Sequence, residues 1–169
     1  LSKRNAATSL EEYREKGYLD SAIINALARL GWSQGNNEVF YLTDLIKEFN
    51  IKDVQKAGAI FDISKLDWLN SQHLANLTLN QFKKNLEPFL NKINIDMDSH
   101  SNVDSLIEAM RTSSDTLSGI AQSLIPYYQD INEYDEKAID KFISDKNLLM
   151  QLRDLIDGIN DWNLDSIES

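Results

Sequence analysis

From Ser9 onward, apolar residues recur at spacings of three and four, and the runs are separated by residues that start or stop helices. This spacing places each apolar set on one face of an α-helix. Ser9-Leu10-Glu11-Glu12 has the spacing of a capping box, and Gly17 stands where that short helix would end after Lys16. Asp20 is expected to cap a second helix carrying Leu19, Ala22, Ile23, Ala26, Leu27 and Leu30, closed by Gly31. Thr43 caps a third, with Leu45, Ile46 and Phe49 inward, and Asp53 begins a short turn. Asp62 caps a helix with Ile63, Leu66, Leu69 and Leu77 on one side. Thr78 caps another, with Leu79, Phe82, Leu86, Phe89, Leu90 and Ile93. Pro88 lies inside that pattern and is expected to kink or split the helix near Asn85 to Glu87.

The polar, acidic stretch from Asn94 to Asn102 reads as a linker. Beyond it, Val103, Leu106, Ile107 and Met110 form one stripe, and Leu117, Ile120, Ala121 and Leu124 a second that Pro126 ends, leaving Tyr127 and Tyr128 outside. Asp135 caps a helix with Ala138, Ile139, Phe142 and Ile143. Asp145 caps another with Leu148, Leu149, Leu152, Leu155 and Ile156, closed by Gly158, and a final turn starts at Asn163. The only candidate strand, Glu38 to Leu42, is short. The fold class is therefore all-α.

Charge divides at the same place as the pattern. Residues 1–92 carry a net charge of +1 and residues 93–169 a net charge of −11. A polyanion would sit more easily on the first half, because an acidic surface repels it. The chain has no cysteine, which excludes disulfides and thiolate metal sites and is compatible with a reducing compartment. No apolar run reaches the length of a membrane span. His73 and His100 lack a partner at ligand spacing. Asp96 and Asp98 open no calcium loop, since the Gly and distal Glu that such a loop needs do not follow. There is no glycine-rich phosphate loop and no nucleophile–base pair. The residues alone do not make this chain an enzyme.

Four stretches, in order, resemble bacterial-type glutamyl-tRNA synthetases. The first is Leu1-Ser2-Lys3-Arg4 followed by Ala7 to Tyr13, similar to the tail of that family's ATP-loop signature and the helix behind it. The second runs from Gly17-Tyr18-Leu19 to Ala28-Arg29-Leu30-Gly31-Trp32. The third is Phe61-Asp62-Ile63-Ser64-Lys65-Leu66-Asp67-Trp68-Leu69-Asn70. The fourth is Tyr134-Asp135-Glu136-Lys137-Ala138, with Trp162 before a closing helix.

The resemblance implies part of a glutamate–tRNA ligase: two consecutive helical bundles, at residues 1–93 (the end of the ATP loop and a stem-contact domain) and 102–169 (an anticodon-binding domain). The ATP-using catalytic domain would lie upstream, and a second anticodon subdomain would follow. Ser2, Lys3 and Arg4 would bind ATP, with magnesium, in the parent enzyme, and the fragment alone would bind neither. Lys65 and Asn70 would face the tRNA stem, with Trp68 packed between helices. The family's anticodon-reading arginine aligns with Ser113, and Arg111 lies two residues away, which implies altered choice between glutamate and glutamine tRNAs. The implied protein is a cytoplasmic monomer. The rival reading is a free-standing helical adaptor that binds a protein partner through its acidic second half.

Overall fold

In a computed structural model, side-chain oxygens close most of the helix starts. Ser9 accepts from Glu12 N at 3.2 Å and begins α1 (Leu10–Lys16), and Gly17 follows in the left-handed conformation. Asp62 accepts from Ser64 N and Lys65 N at the head of α4 (Ile63–Ala75). Thr78 and Gln81 form a reciprocal capping box on α5 (Leu79–Lys92). Thr116, Asp135 and Asp145 cap α7 (Leu117–Tyr128), α8 (Glu136–Phe142) and α9 (Lys146–Asp157). Each cap gives an acceptor to an N–H that has no partner inside its helix. The structure describes residues 9–55, 60–130, 134–143 and 145–159. Among them there is no strand, only an isolated bridge between Gln34 and Asn37, and the fold is all-α.

The remaining elements differ in detail from the sequence reading. Asp20 is the first residue of α2 (Asp20–Ala28), not its cap; Leu19 holds the cap position without a side-chain bond. Helix α3 (Leu42–Glu48) starts one residue before Thr43, and Asp44 accepts from Tyr41 N at 3.3 Å. Of its three inward candidates only Leu45 is buried, and Ile46 faces solvent. Pro88 does not split α5. It lies on the water-facing side, where a missing N–H is tolerated, and Leu86 and Leu90 on the other side are fully buried. Pro126 does not end α7, because the Gln129 N–H reaches Ile125 O at 2.9 Å and carries the ladder past the ring. Asn163 lies outside the described residues.

The chain divides into two units, residues 1–129 and 130–169. In the first, the largest core joins Leu74, Phe82, Leu86 and Leu90 to Ile107, Leu117, Ile120 and Leu124. Ile95 and Met97 are buried in the same core. The stretch expected as a linker is thus part of the packing: a 3₁₀ turn at Met97–Ser99 carries the chain from α5 into α6 (Val103–Met110). Two smaller clusters complete the unit. Tyr18, Ile23, Ala26, Leu66 and Leu69 pack α2 on α4, and Trp32, Phe40 and Leu45 pack beneath α3. In the second unit, α8 and α9 follow one another, and the apolar residues Leu148, Leu149, Met150, Leu152, Leu155 and Ile156 of α9 are exposed.

Candidate nucleic-acid interface

Helix α2 carries a polar residue in the middle of its apolar stripe. Asn25 is fully buried. Its Nδ2 donates to Glu38 O at 3.0 Å, and its Oδ1 accepts from Phe40 N at 2.7 Å. His73 Nε2 lies 3.1 Å from the same Oδ1. Because that oxygen is an acceptor, the His73 proton belongs on Nε2. Burial pushes the His73 pKa below its ordinary value, which favours this neutral donor. These bonds fix the segment around Glu38 against α2 and α4.

That placement aims the Glu38 carboxylate at two cations. Lys65 Nζ on α4 donates to Glu38 Oε2, and Arg29 Nη2, just beyond α2, lies 3.8 Å from Oε1. The hydrogen bond from Lys65 holds the Glu38 carboxyl below the usual carboxylate range. Lys65 Nζ also lies 4.3 Å above the centre of the Trp68 ring. Trp68 does not pack between helices as expected, and 39% of it is exposed. An ammonium over an open indole face is a cation–π pair whose ring can still be stacked upon.

Two other expected contact residues lie inside the protein. Asn70 is fully buried. Its Oδ1 accepts from Leu19 N at 2.8 Å, and its Nδ2 donates to Asp115 O. Beside it Leu117 N donates to Gly17 O at 3.3 Å, and Tyr18 Oη donates to Asp67. Burial, followed by the Asp67 carboxylate, pushes the Tyr18 phenol well above its ordinary pKa.

Arg111 is similarly engaged. Its Nη2 donates to Leu74 O at 3.1 Å and Leu77 O at 2.8 Å, and its Nη1 to Glu108 at 2.9 Å. The guanidinium also covers the Phe82 ring at 4.9 Å. A cation on the last carbonyls of α4 satisfies groups that the helix cannot. The expected RNA contact at Asn70 is corrected on this ground, since both its polar atoms are engaged within the fold; Arg111 is held there by its two terminal nitrogens, and its Nε is buried without a partner. Lys65 and Ser113 remain reachable from solvent. Ser2, Lys3 and Arg4 lie outside the described residues. His100 stands beside the Tyr128 ring, 5.6 Å between centres. Among the described residues no group of three His, Cys, Asp or Glu is placed to hold a metal ion, and no helix is long and apolar enough to cross a membrane.

The result is an all-helical scaffold whose first unit gathers Arg29 and Lys65 around the Glu38 carboxylate, with the part-exposed Trp68 ring beside Lys65. Residues 81–169 match the model of an anticodon-binding domain, and residues 1–68 match that of the catalytic domain of class I tRNA synthetases for E and Q. As the first match covers more than half of its residues, the chain belongs to the anticodon-binding domain family. It is 34% identical over 168 residues to a glutamate–tRNA ligase of Vesicomyosocius okutanii, covering 99% of this chain and 37% of that protein. It is 36% identical over 162 residues to glutamate–tRNA ligase 1 of Campylobacter hominis, covering 95% of this chain and 34% of that protein. The crystal structure of a glutamate tRNA ligase from Elizabethkingia meningosepticum, solved in complex with its amino acid, superposes with a TM-score of 0.73 at 30% identity. That match covers 88% of this chain and 30% of the other. The chain therefore spans about a third of the length of the relatives it matches.

Proposed function

We propose that this chain is the tRNA-binding part of a glutamate–tRNA ligase. The observation that carries the reading is the similarity to such ligases over nearly all of the chain, with the two family matches in sequence order. The cation-and-indole face of the first unit supports it, because a polyanion needs placed positive charge on a chain of net charge −10. Lys65 would contact the RNA stem, and the exposed turn at Ser113 the anticodon, of glutamate and glutamine isoacceptors alike. Asn70 and Arg111 would hold those contact points in place. Ser2, Lys3 and Arg4 would belong to the ATP loop of the longer enzyme, where ATP supplies the energy for activating glutamate.

The test is binding of the chain to a glutamate tRNA transcript, followed by fluorescence anisotropy across a salt titration. A steep fall in affinity as salt rises is expected, because phosphate contacts release counterions. No binding even at low salt would overturn the reading and favour the protein adaptor.

A further inference from the structure

We propose that the apolar groove between α2 and α3 is a docking surface for the rest of a ligase's catalytic domain, packed there within one longer polypeptide. This rests on reading the chain as part of a glutamate–tRNA ligase, and it adds where the two parts join.

Helix α2 is apolar on two sides. Ala22, Ile23 and Ala26 are buried, and Ile23 and Ala26 belong to the cluster that packs α2 on α4. Ile24 and Leu27 stay 39% and 46% exposed. A helix that is apolar beyond one stripe is ordinarily covered on more than one side. Helix α3 repeats the pattern: Leu45 is buried, and Ile46 beside it is 75% exposed. With Ala28 and Phe49, these residues line an open groove of about 630 Å³, and all six are apolar. Phe49 ties the groove to the core, since its ring lies 5.5 Å from that of the buried Trp32.

The lining selects the occupant. A phosphate needs placed cations, and the lining residues include none, so RNA is not what this surface fits. A free partner protein or a second copy of this chain needs more surface, because a stable interface takes roughly 20–30 residues from each side. A segment of the same polypeptide needs less, since covalent linkage holds it at high local concentration. The relatives carry such a segment. This chain covers 37% and 34% of the two ligases described above, so about two-thirds of each lies beyond the match. All six groove residues fall within residues 1–68, the stretch that matches the catalytic-domain model. An apolar surface of that domain laid over Ile24, Leu27, Ile46 and Phe49 would remove them from water without any charged pair.

The experiment compares the chain by itself with a chimera in which it replaces the matched third of the Vesicomyosocius okutanii ligase. Ile46→Lys and Leu27→Gln alter the groove in both. Lys47→Glu, on the same helix but outside the groove, serves as the comparison. In the chain alone all three should melt within about 2 °C of the unaltered protein, because changes at exposed positions are nearly neutral. In the chimera Ile46→Lys should lower the melting temperature by at least about 4 °C, since it places an unpaired ammonium in an apolar contact. It should also lower kcat/KM for charging glutamate tRNA at least about tenfold, as a displaced catalytic part would. Lys47→Glu should do neither. Ile46→Lys shifts that are equally small in chain and chimera overturn the groove's assignment, and a chimera that still charges glutamate tRNA then leaves the ligase reading standing. A dimer of the unaltered chain in sedimentation, dissociated by Ile46→Lys, overturns it by giving the groove to a second copy. A chimera that does not fold, although the chain alone melts cooperatively, overturns it as well. Should Ile46→Lys destabilise the chain alone, Leu27→Gln decides by the same comparison. Absence of tRNA binding by both chain and chimera removes the ligase reading, and this assignment with it.

Discussion

Replacing Asn70 by alanine tests whether the seam between α4, the segment after α1 and the start of α7 is held by this one amide. The side chain is fully buried and serves Leu19 N and Asp115 O together. Alanine removes both bonds and leaves a backbone donor and a backbone acceptor facing a small void. Each group left unsatisfied costs about 1–3 kcal/mol. Alanine's higher helix propensity returns only about 0.5 kcal/mol. The net loss is then about 1.5–5.5 kcal/mol, a large share of the roughly 5–15 kcal/mol of an ordinary domain. In urea unfolding followed by circular dichroism, the midpoint should fall by about 1–3 M with the slope unchanged. Asn70→Asp supplies the second arm. Its carboxylate can still accept from Leu19 N, but it places an oxygen against Asp115 O in a buried site. Burial raises the pKa of this carboxyl above its unfolded value. The variant should therefore be closest to the unaltered chain near pH 4 and lose stability as pH rises toward neutrality. A loss under about 0.5 kcal/mol for Asn70→Ala, the level of an ordinary surface change, would refute the seam argument.

Three further outcomes are expected. Gly17→Ala should lower the melting temperature by at least about 4 °C: Gly17 has φ +84°, and a Cβ there would stand 2.7 Å from Leu117 Cβ and 2.9 Å from Leu117 N. Arg111→Met should destabilise the chain by about 2–4 kcal/mol in urea unfolding, and Arg111→Lys should recover less than half, because one ammonium cannot serve the separate carbonyls the guanidinium fork reaches. His73 has a folded pKa below its unfolded value, so its contribution is complete above about pH 6.5 and is lost as pH falls from there through the folded pKa; a pH series of melts should show this slope, and His73→Gln should lack it.

Local chemistry made most helix starts legible. Ser9, Asp62, Thr78, Asp135 and Asp145 cap where their spacing places them, because a cap depends on residues within one turn. Asp20 misled because the helix opens one residue earlier: Leu19 O already accepts from Ala22 N and Ile23 N, which leaves Asp20 inside the first turn. Pro88 and Pro126 misled because helix breaking was weighed without the packing of Leu86, Leu90 and Leu124 on the buried side. The acidic stretch after Asn94 hid two core residues, Ile95 and Met97, within its polarity. At the candidate site, Lys65 was visible through resemblance, but the roles of Asn70 and Arg111 were not. Both are polar residues whose partners are distant backbone atoms, and no sequence spacing reports those. Asn25 did leave a signal, a lone amide inside the Ile23 to Ala26 stripe.

The two family matches end at residue 68 and begin at residue 81, yet the interval between them carries several of the bonds that join the first unit. Asn70 reaches back to Leu19 and forward to Asp115. Leu74 and Leu77 give their carbonyls to Arg111. The turn from Arg111 to Leu117 therefore cannot shift relative to α4 without breaking several bonds at once. Lys65 lies on the same α4, five residues before Asn70. An RNA that touches both Lys65 and the Ser113 turn would meet contact points already held at fixed separation, and the ordering cost that weakens most docking surfaces would largely have been met during folding. On this account the buried amide and the half-buried guanidinium influence RNA affinity without touching RNA. Their variants should weaken binding by loosening the spacing of the contacts, with the salt slope preserved, whereas loss of a phosphate contact lowers that slope.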